Sequence, residues 1–418
     1  MTSTYSKTHR VPPLLWLLVV ILVTINLRPF LTAPGPLGPT IQQATGMDLR
    51  SFSWLTLLPM ALMGIGGWLA PTALQHWGAR ASICASLLLI ALGCALRLTP
   101  AGAATGTLLI ATAGLCGAGV ALAQSILPGL IKRQSPHSVA PMMGLYSAAL
   151  MGGGALSAQL SPVAMQLGLS WQASLAIWAI PVLLALPLAW HALTLMRESA
   201  PPAPSAPLVQ ANRDWDWDRD SGTGWLLRRG RTWLLLISFG LMNGGYGSTV
   251  AWLAPFYQTH GWTATQSGSL LAILSIAQAA SALAMPALAC RSLDRRCWLM
   301  LALLLQIIGF AGLGLWPDAM PTLNAIVLGL GLGGCFSLFM LVALDHLPSP
   351  TQAGALNSLM QGGGFILAAI APLIMAQLHQ ISGTWMTGWL YQAGVAALVC
   401  LLVTRFNPKG YPQAMQRL

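Results

Sequence analysis

Arg28 is the residue whose chemistry asks first for an explanation. It lies near the middle of an apolar run from about residue 13 to residue 42. An arginine at bilayer depth costs at least about 2.5–3.5 kcal/mol, so it must face protein or water and find a partner. The nine acidic residues do not supply one. Asp48 and Asp318 fall in outer loops, and Glu198, Asp214, Asp216, Asp218, Asp220 and Asp294 in inner ones. Asp345 falls at the inner end of a span, roughly 15 Å from the depth of Arg28 at a rise of about 1.5 Å per residue. A transported anion would complete the charge. The alternative is an arginine satisfied by backbone carbonyls that Pro29, Pro34 and Pro36 leave free.

A small anion wants a few donors around one guanidinium: amide NH₂, phenol OH, indole NH. Candidates near the same depth are Asn26, Gln124, Tyr146, Asn243, Tyr246, Gln361 and Trp252. Asn243 and Tyr246 rank first, because they fall in the segment related by internal repeat to Asn26 and Arg28; Gln124 and Gln361 come next. Taken singly, any of them can instead be an interhelical hydrogen bond, the reading given to Ser125, Gln278 and Asn357. No Asp, Glu or His is placed at mid-membrane. That disfavours a carboxylate proton relay and an intramembrane enzyme, both of which need a buried base. Uniport, anion exchange, or symport with a proton riding on the substrate remain, so a proton or a counter-anion is the candidate coupling partner. Asp345 with Arg133 and Arg291, and with Arg80, Arg295 and Arg296, can form salt bridges between two halves that close an inner gate; the bland reading is topology signalling alone. The seven cysteines show no zinc spacing. No metal or cofactor is implied.

Around these residues the chain is hydrophobic. Of 418 residues 56% are hydrophobic and only 7% charged, against about 25% charged in a soluble domain. A cytosolic enzyme, a disordered tail and a secreted disulfide scaffold are excluded. At about 20 apolar residues per crossing, spans are predicted near 13–42, 51–75, 80–99, 104–131, 139–166, 172–196, 232–259, 265–289, 297–316, 320–346, 352–379 and 385–405. The fold class is all-α membrane protein, twelve transmembrane helices in two six-helix bundles. Of the 20 Lys and Arg, all but Arg28, Arg50 and Arg97 fall on one side. The positive-inside rule then puts both termini in the cytoplasm. It also accounts for the net charge of +11 without nucleic acid as a partner; the lipid bilayer is the partner. A monomer in the bacterial inner membrane is expected.

Residues 197–231 form a Pro-rich, charged linker, between an N-terminal bundle over 1–196 and a C-terminal one over 232–418. The halves repeat. Gly144, Gly152-Gly153-Gly154 and Pro162 recur as Gly354, Gly362-Gly363-Gly364 and Pro372, each offset by 210 residues. Asn26 and Thr32 match Asn243 and Thr249, and Gly46 and Gly261 end the two helices. Such pseudo-symmetry puts a cavity at the shared interface.

These residues carry a resemblance. Asn26-Leu27-Arg28-Pro29 with Thr32, Gly35-Pro36-Leu37 and Pro39 resembles the first-helix signature of the cyanate-porter branch of the major facilitator superfamily. Ile131-Lys132-Arg133, Met151-Gly152-Gly153-Gly154, Asn243-Gly244-Gly245-Tyr246 leading to Ala251-Trp252-Leu253, Ser267-Gly268-Ser269-Leu270-Leu271, Leu344-Asp345-His346 and Met360-Gln361-Gly362 are similar as well. The resemblance implies an inner-membrane secondary transporter of cyanate or a similar small anion, working by alternating access. The branch also includes nitroimidazole transporters, so carriage of small organic compounds, with export of drugs, stays open as the alternative. The chain departs from the superfamily pattern after the second span. Gln75 stands where an acid is usual, and Cys290 stands in the corresponding place after the eighth span.

Overall fold

The computed structural model describes residues 12–99, 105–135, 138–198, 224–289, 292 and 294–416. All regular structure among them is helical: α1 Pro13–Ile25, α2 Pro29–Thr32, α3 Gly38–Thr45, α4 Leu49–Ala95, α5 Thr105–Gln134, α6 Val139–Gln166, α7 Trp171–Ala176, α8 Ala179–Glu198, α9 Gly224–Leu227, α10 Gly230–Thr259, α11 Ala264–Ala289, α12 Arg296–Leu315, α13 Pro321–Asp345, α14 Pro350–Ala369, α15 Ala371–Ser382, α16 Met386–Val403 and α17 Tyr411–Met415.

Eleven segments among the described residues are long and apolar enough to cross a membrane. The twelfth crossing is α6, 28 residues long. Its apolarity is diluted by Gly144, Gly152, Gly153, Gly154, Ser157 and Ser161. It needs less apolar surface because it packs between α1 and α11. The spans predicted at 51–75 and 80–99 are two crossings joined within α4 by a turn at Gly78, whose φ of 74° and ψ of 168° leave helical space. The sixth and eleventh spans are broken, into α7 and α8 and into α14 and α15. Residues 199–223 of the expected linker lie outside the described residues, while 224–227 are already helical.

In the first bundle α4 lies along α5 and α8, and α1 along α6 and α8. In the second, α10 lies along α14, and α13 along α11 and α12. The bundles meet where α11 packs on α6 and α14 on α4. Glycine permits that approach. An added Cβ at Gly268 of α11 would strike the Ala158 carbonyl of α6, and one at Gly64 of α4 would reach the Gly362 carbonyl of α14. The loops at one end of the molecule, after α3 and after α10, hold Gly46 and Gly261, both left-handed at φ 70° and 85°. That end is the Arg-poor face, and the opposite end the Arg-rich face.

Candidate functional site

The first predicted span is not one helix over 13–42. It is α1, α2 and α3 joined by irregular turns. Proline explains each break, because proline has no N–H and fixes φ. Pro29 leaves the Ile25 carbonyl without its i+4 donor, and Pro34 does the same to Phe30. Irregular backbone at membrane depth is tolerated only where it is buried in protein or lines a cavity. Here the break is buried in protein. Gly153 of α6 presses its Cα against the Ile25 carbonyl, leaving no room for a Cβ. The Phe30 carbonyl accepts a 3.3 Å hydrogen bond from Nη1 of Arg97.

Arg28 sits in this break, as the residue before α2, with φ −116° and ψ −24°. It is 3% exposed. Its Cζ lies 5.1 Å from the ring centroid of Tyr246 on α10, a cation–π contact worth up to about 2 kcal/mol when desolvated. Gly154 of α6 allows the approach, since a Cβ there would touch Cβ of Arg28 and Cγ2 of Thr32. Thr32 is tied to the same helix through Ser157 Oγ at 2.5 Å. The Nε of Arg28 is buried without a hydrogen-bond partner. The ion pairs among the described residues are His260–Asp318, Arg295–Asp345 and Arg296–Asp294. None includes Arg28. Among the described residues no hydrogen bond joins Arg28 to a carbonyl freed by proline, and that of Phe30 is taken by Arg97.

Tyr146 of α6 is buried within electrostatic reach of Arg28 and pairs with the Gln124 side chain of α5. Asn243 lies three residues before Tyr246 on α10, one turn along the same face; it is 3% exposed and its Nδ2 has no partner. So the structure gathers Arg28, Tyr246, Tyr146, Gln124 and Asn243 from four elements. Two of these groups are buried donors with nothing to donate to.

Other candidates are placed differently. Asn26 is buried, but its Nδ2 donates to the carbonyls of Leu22 and Pro181, at 2.7 and 3.2 Å. It anchors α1 to α8. Trp252 is fully buried, and its indole N–H donates to the Pro372 carbonyl at 2.9 Å. Its ring packs on Phe52 and Trp385, toward the Arg-poor face. Gln361 is half-buried on α14, beside the contact of Gly362 with Gly64.

Among the described residues, no ion pair between the bundles joins those expected at the inner gate. Asp345 does not bridge the bundles. It accepts from Nε of Arg295 at 3.1 Å, and both belong to the second bundle. Arg295 is the nearer partner because α12 begins beside the end of α13. Arg133 is exposed and lines a cavity of about 440 Å³ on the Arg-rich face of the first bundle, with Arg80, His76 and Met196. Arg80 is held there by Thr194 Oγ1 at 3.2 Å and by the ring of Trp190. Arg291 lies outside the described residues.

On the Arg-poor face a side-chain hydrogen bond crosses between the bundles. Gln258 of α10 donates from Nε2 to the Pro36 carbonyl at 2.7 Å. Gly38 lies against Pro255 and Phe52, and an added Cβ at Gly35 would come within 2.7 Å of the Val250 carbonyl. Gln258, Ser157 and Arg97 were not singled out in the sequence. Arg97 was expected on the outer side and is buried there instead.

Twelve crossings in two bundles, with a broken first helix holding a buried cation without an ion-pair partner at the interface, define a membrane carrier. The chain belongs to the Major Facilitator Superfamily, whose family model matches residues 17–369. It is 42% identical over 402 residues to the cyanate transport protein CynX of Escherichia coli (strain K12), covering 95% of this chain and 98% of that one. It is 30% identical over 384 residues to the 2-nitroimidazole transporter of the same strain, covering 92% of each. Among solved structures, a D-xylose-proton symporter superposes with a TM-score of 0.72 at 14% identity, over 94% of this chain and 96% of that one. A nucleoside transporter superposes with a TM-score of 0.72 at 15% identity, over 94% and 99%. The last two show the fold alone.

Proposed function

We propose that this protein carries cyanate, or a similar small monovalent anion, across the bacterial inner membrane by alternating access. One observation carries the reading: Arg28 is buried between the bundles with Nε unpaired and no carboxylate beside it among the described residues. An acceptor-only ion is the simplest complement to a site with unpaired Arg28 and Asn243 donors. Kinship with a cyanate transport protein supports the same substrate class. Both termini are cytoplasmic, and the bundles over 1–196 and 232–418 rock about the site. The contacts of Gln258 and Gly35 seal the outer side, and opening them while closing the Arg-rich side completes the cycle. A proton or counter-anion couples the movement, and the monomer is the working unit.

The test is uptake of labelled cyanate into proteoliposomes by the protein and by Arg28→Gln. Uptake that disappears in the folded variant is the expected result. Equal uptake by both overturns the reading. A second reading, transport of nitroimidazole-like compounds, is favoured by the rings of Tyr246 and Tyr146 beside Arg28 and by the second relative. Cyanate-independent protein that takes up a nitroimidazole would select it.

A further inference from the structure

Arg28 is not the only buried cation in the first bundle. Arg97 follows α4 in a 3-10 turn over Leu96–Leu98 and is 3% exposed. A lysine or arginine near a helix end ordinarily extends its head group to the interface; this one turns inward. Its Nε donates to Thr112 Oγ1 at 3.4 Å and its Nη1 to the Phe30 carbonyl at 3.3 Å. Both partners are neutral. Its Nη2 is buried and has no partner. None of the ion pairs among the described residues includes it. The thiols of Cys94 and Cys116 lie nearby but are engaged with one another at 3.9 Å.

The two arginines share one short element. Arg28 opens α2, and Arg97 grips Phe30 inside it. Phe30 is available because Pro34 supplies no N–H to its carbonyl. Arg97 is thus fastened to the outer flank of the break that presents Arg28, with one N–H set left over. A buried guanidinium facing only neutral dipoles is under-compensated and draws an anion.

We infer that Arg97 is a second anion-binding point, on the Arg-poor side of the first-helix break, through which the carried anion passes between the outer face and Arg28. This inference rests on the anion-carrier reading of Arg28. Nη2 donates to the passing anion, while Nε and Nη1 hold the guanidinium in place.

The experiment measures initial uptake of labelled cyanate against concentration, using full-length protein in proteoliposomes. The variants are Arg97→Gln, Arg97→Lys and Arg28→Gln. Loss of one charge-assisted hydrogen bond predicts a rise of about tenfold in the half-saturating concentration for Arg97→Gln, with the maximal rate kept within about twofold. Arg97→Lys keeps the charge and recovers most of the affinity. If Arg97 only braces Phe30, both variants lose maximal rate with half-saturation unchanged, and the inference is overturned. Uptake abolished in Arg28→Gln but unaltered in Arg97→Gln overturns this inference alone; no uptake by the unmodified protein overturns the carrier reading and this one with it. Should Arg97→Gln fail to fold, thermal stabilisation of detergent-solubilised Arg28→Gln by potassium cyanate serves instead. A residual shift supports a second point, and none refutes it.

Discussion

Gly152 and Gly153 are neighbours in α6, yet alanine at the two positions has opposite consequences. A Cβ on Gly152 meets nothing within 4 Å. Gly152→Ala therefore gains the usual helix-interior benefit of about 0.5–1 kcal/mol. A Cβ on Gly153 runs into the Ile25 carbonyl, and α1 must retreat by more than an ångström to restore an ordinary contact of about 3.4 Å. It has nowhere to go. Asn26 pins that turn to the Pro181 carbonyl of α8, and Val19, Val20, Val23 and Thr24 are buried beside it. Overpacking of this kind costs about 1–3 kcal/mol, so the two variants should differ by about 1.5–4 kcal/mol. The displaced turn also leads into Arg28 and its contact with Tyr246. Thermal unfolding in detergent, with and without cyanate, reads both effects. Gly153→Ala should unfold at lower temperature and lose most of the cyanate-dependent shift, while Gly152→Ala matches or exceeds the unmodified protein. Equal melting and equal cyanate response in the two variants would refute the close-approach argument.

Two further outcomes follow from other contacts. Gln258→Leu removes the bond to the Pro36 carbonyl, worth about 1 kcal/mol, and so shifts the population about fivefold toward an opened Arg-poor face; spin labels at Gln43 and Thr263 should report longer distances, and an unchanged distribution would show that the seal lies elsewhere. His346 is buried beyond the end of α13, its Nδ1 donating to the Val342 carbonyl at 2.6 Å and its ring stacked on Tyr411. Burial lowers its pKa from 6.5 to about 4, so its contribution to stability is full above about pH 6.5 and is lost as pH falls toward 4, amounting to about 2 kcal/mol at pH 5. His346→Phe keeps the stack and should flatten the stability profile between pH 7 and pH 5; an equally steep profile in the variant would assign the pH dependence to another group.

The crossings, the two-bundle layout and Arg28 were legible because each depends on residues close in sequence: a run of apolar side chains, a glycine triplet, a charge within a run. The prolines at 29, 34, 36 and 39 announced that the first helix could not be continuous, although the span was read as one. What they could not announce was who would receive the freed carbonyls. Arg97 is 67 residues from Phe30, and Gln258 is 222 residues from Pro36. No local pattern encodes such a pairing. Arg97 was counted on the outer side because it stands near the end of the span predicted at 80–99, and the 3-10 turn carries it back into the bundle. Asp345 was read as an inter-bundle gate because several arginines share its face, and proximity in the fold, not charge, selects Arg295. Asn26 shows the converse: repeat symmetry flagged its position, but the amide is spent on an anchor between helices.

A carrier whose site charge is an arginine differs in one physical respect from a carrier that uses a carboxylate or histidine. Arginine cannot release its proton in a protein. The empty site is therefore cationic at every stage of the cycle, whereas the site holding one monovalent anion is neutral. Moving the bundles past a closed intermediate buries the site most deeply, and burial of an uncompensated charge is far costlier than burial of a paired one. On the reading that Arg28 binds the carried anion, the loaded protein crosses between its two faces faster than the empty one. Exchange of anions should then outrun net uptake: proteoliposomes preloaded with unlabelled cyanate should take up labelled cyanate several-fold faster than empty ones, since each return stroke is made with Arg28 neutralised. A proton cannot substitute for the returning anion at Arg28 itself, so an inward acid gradient should not abolish the acceleration. Rates that are identical with and without internal anion would show that the empty, charged form returns freely, and would remove Arg28 as the group that limits the return.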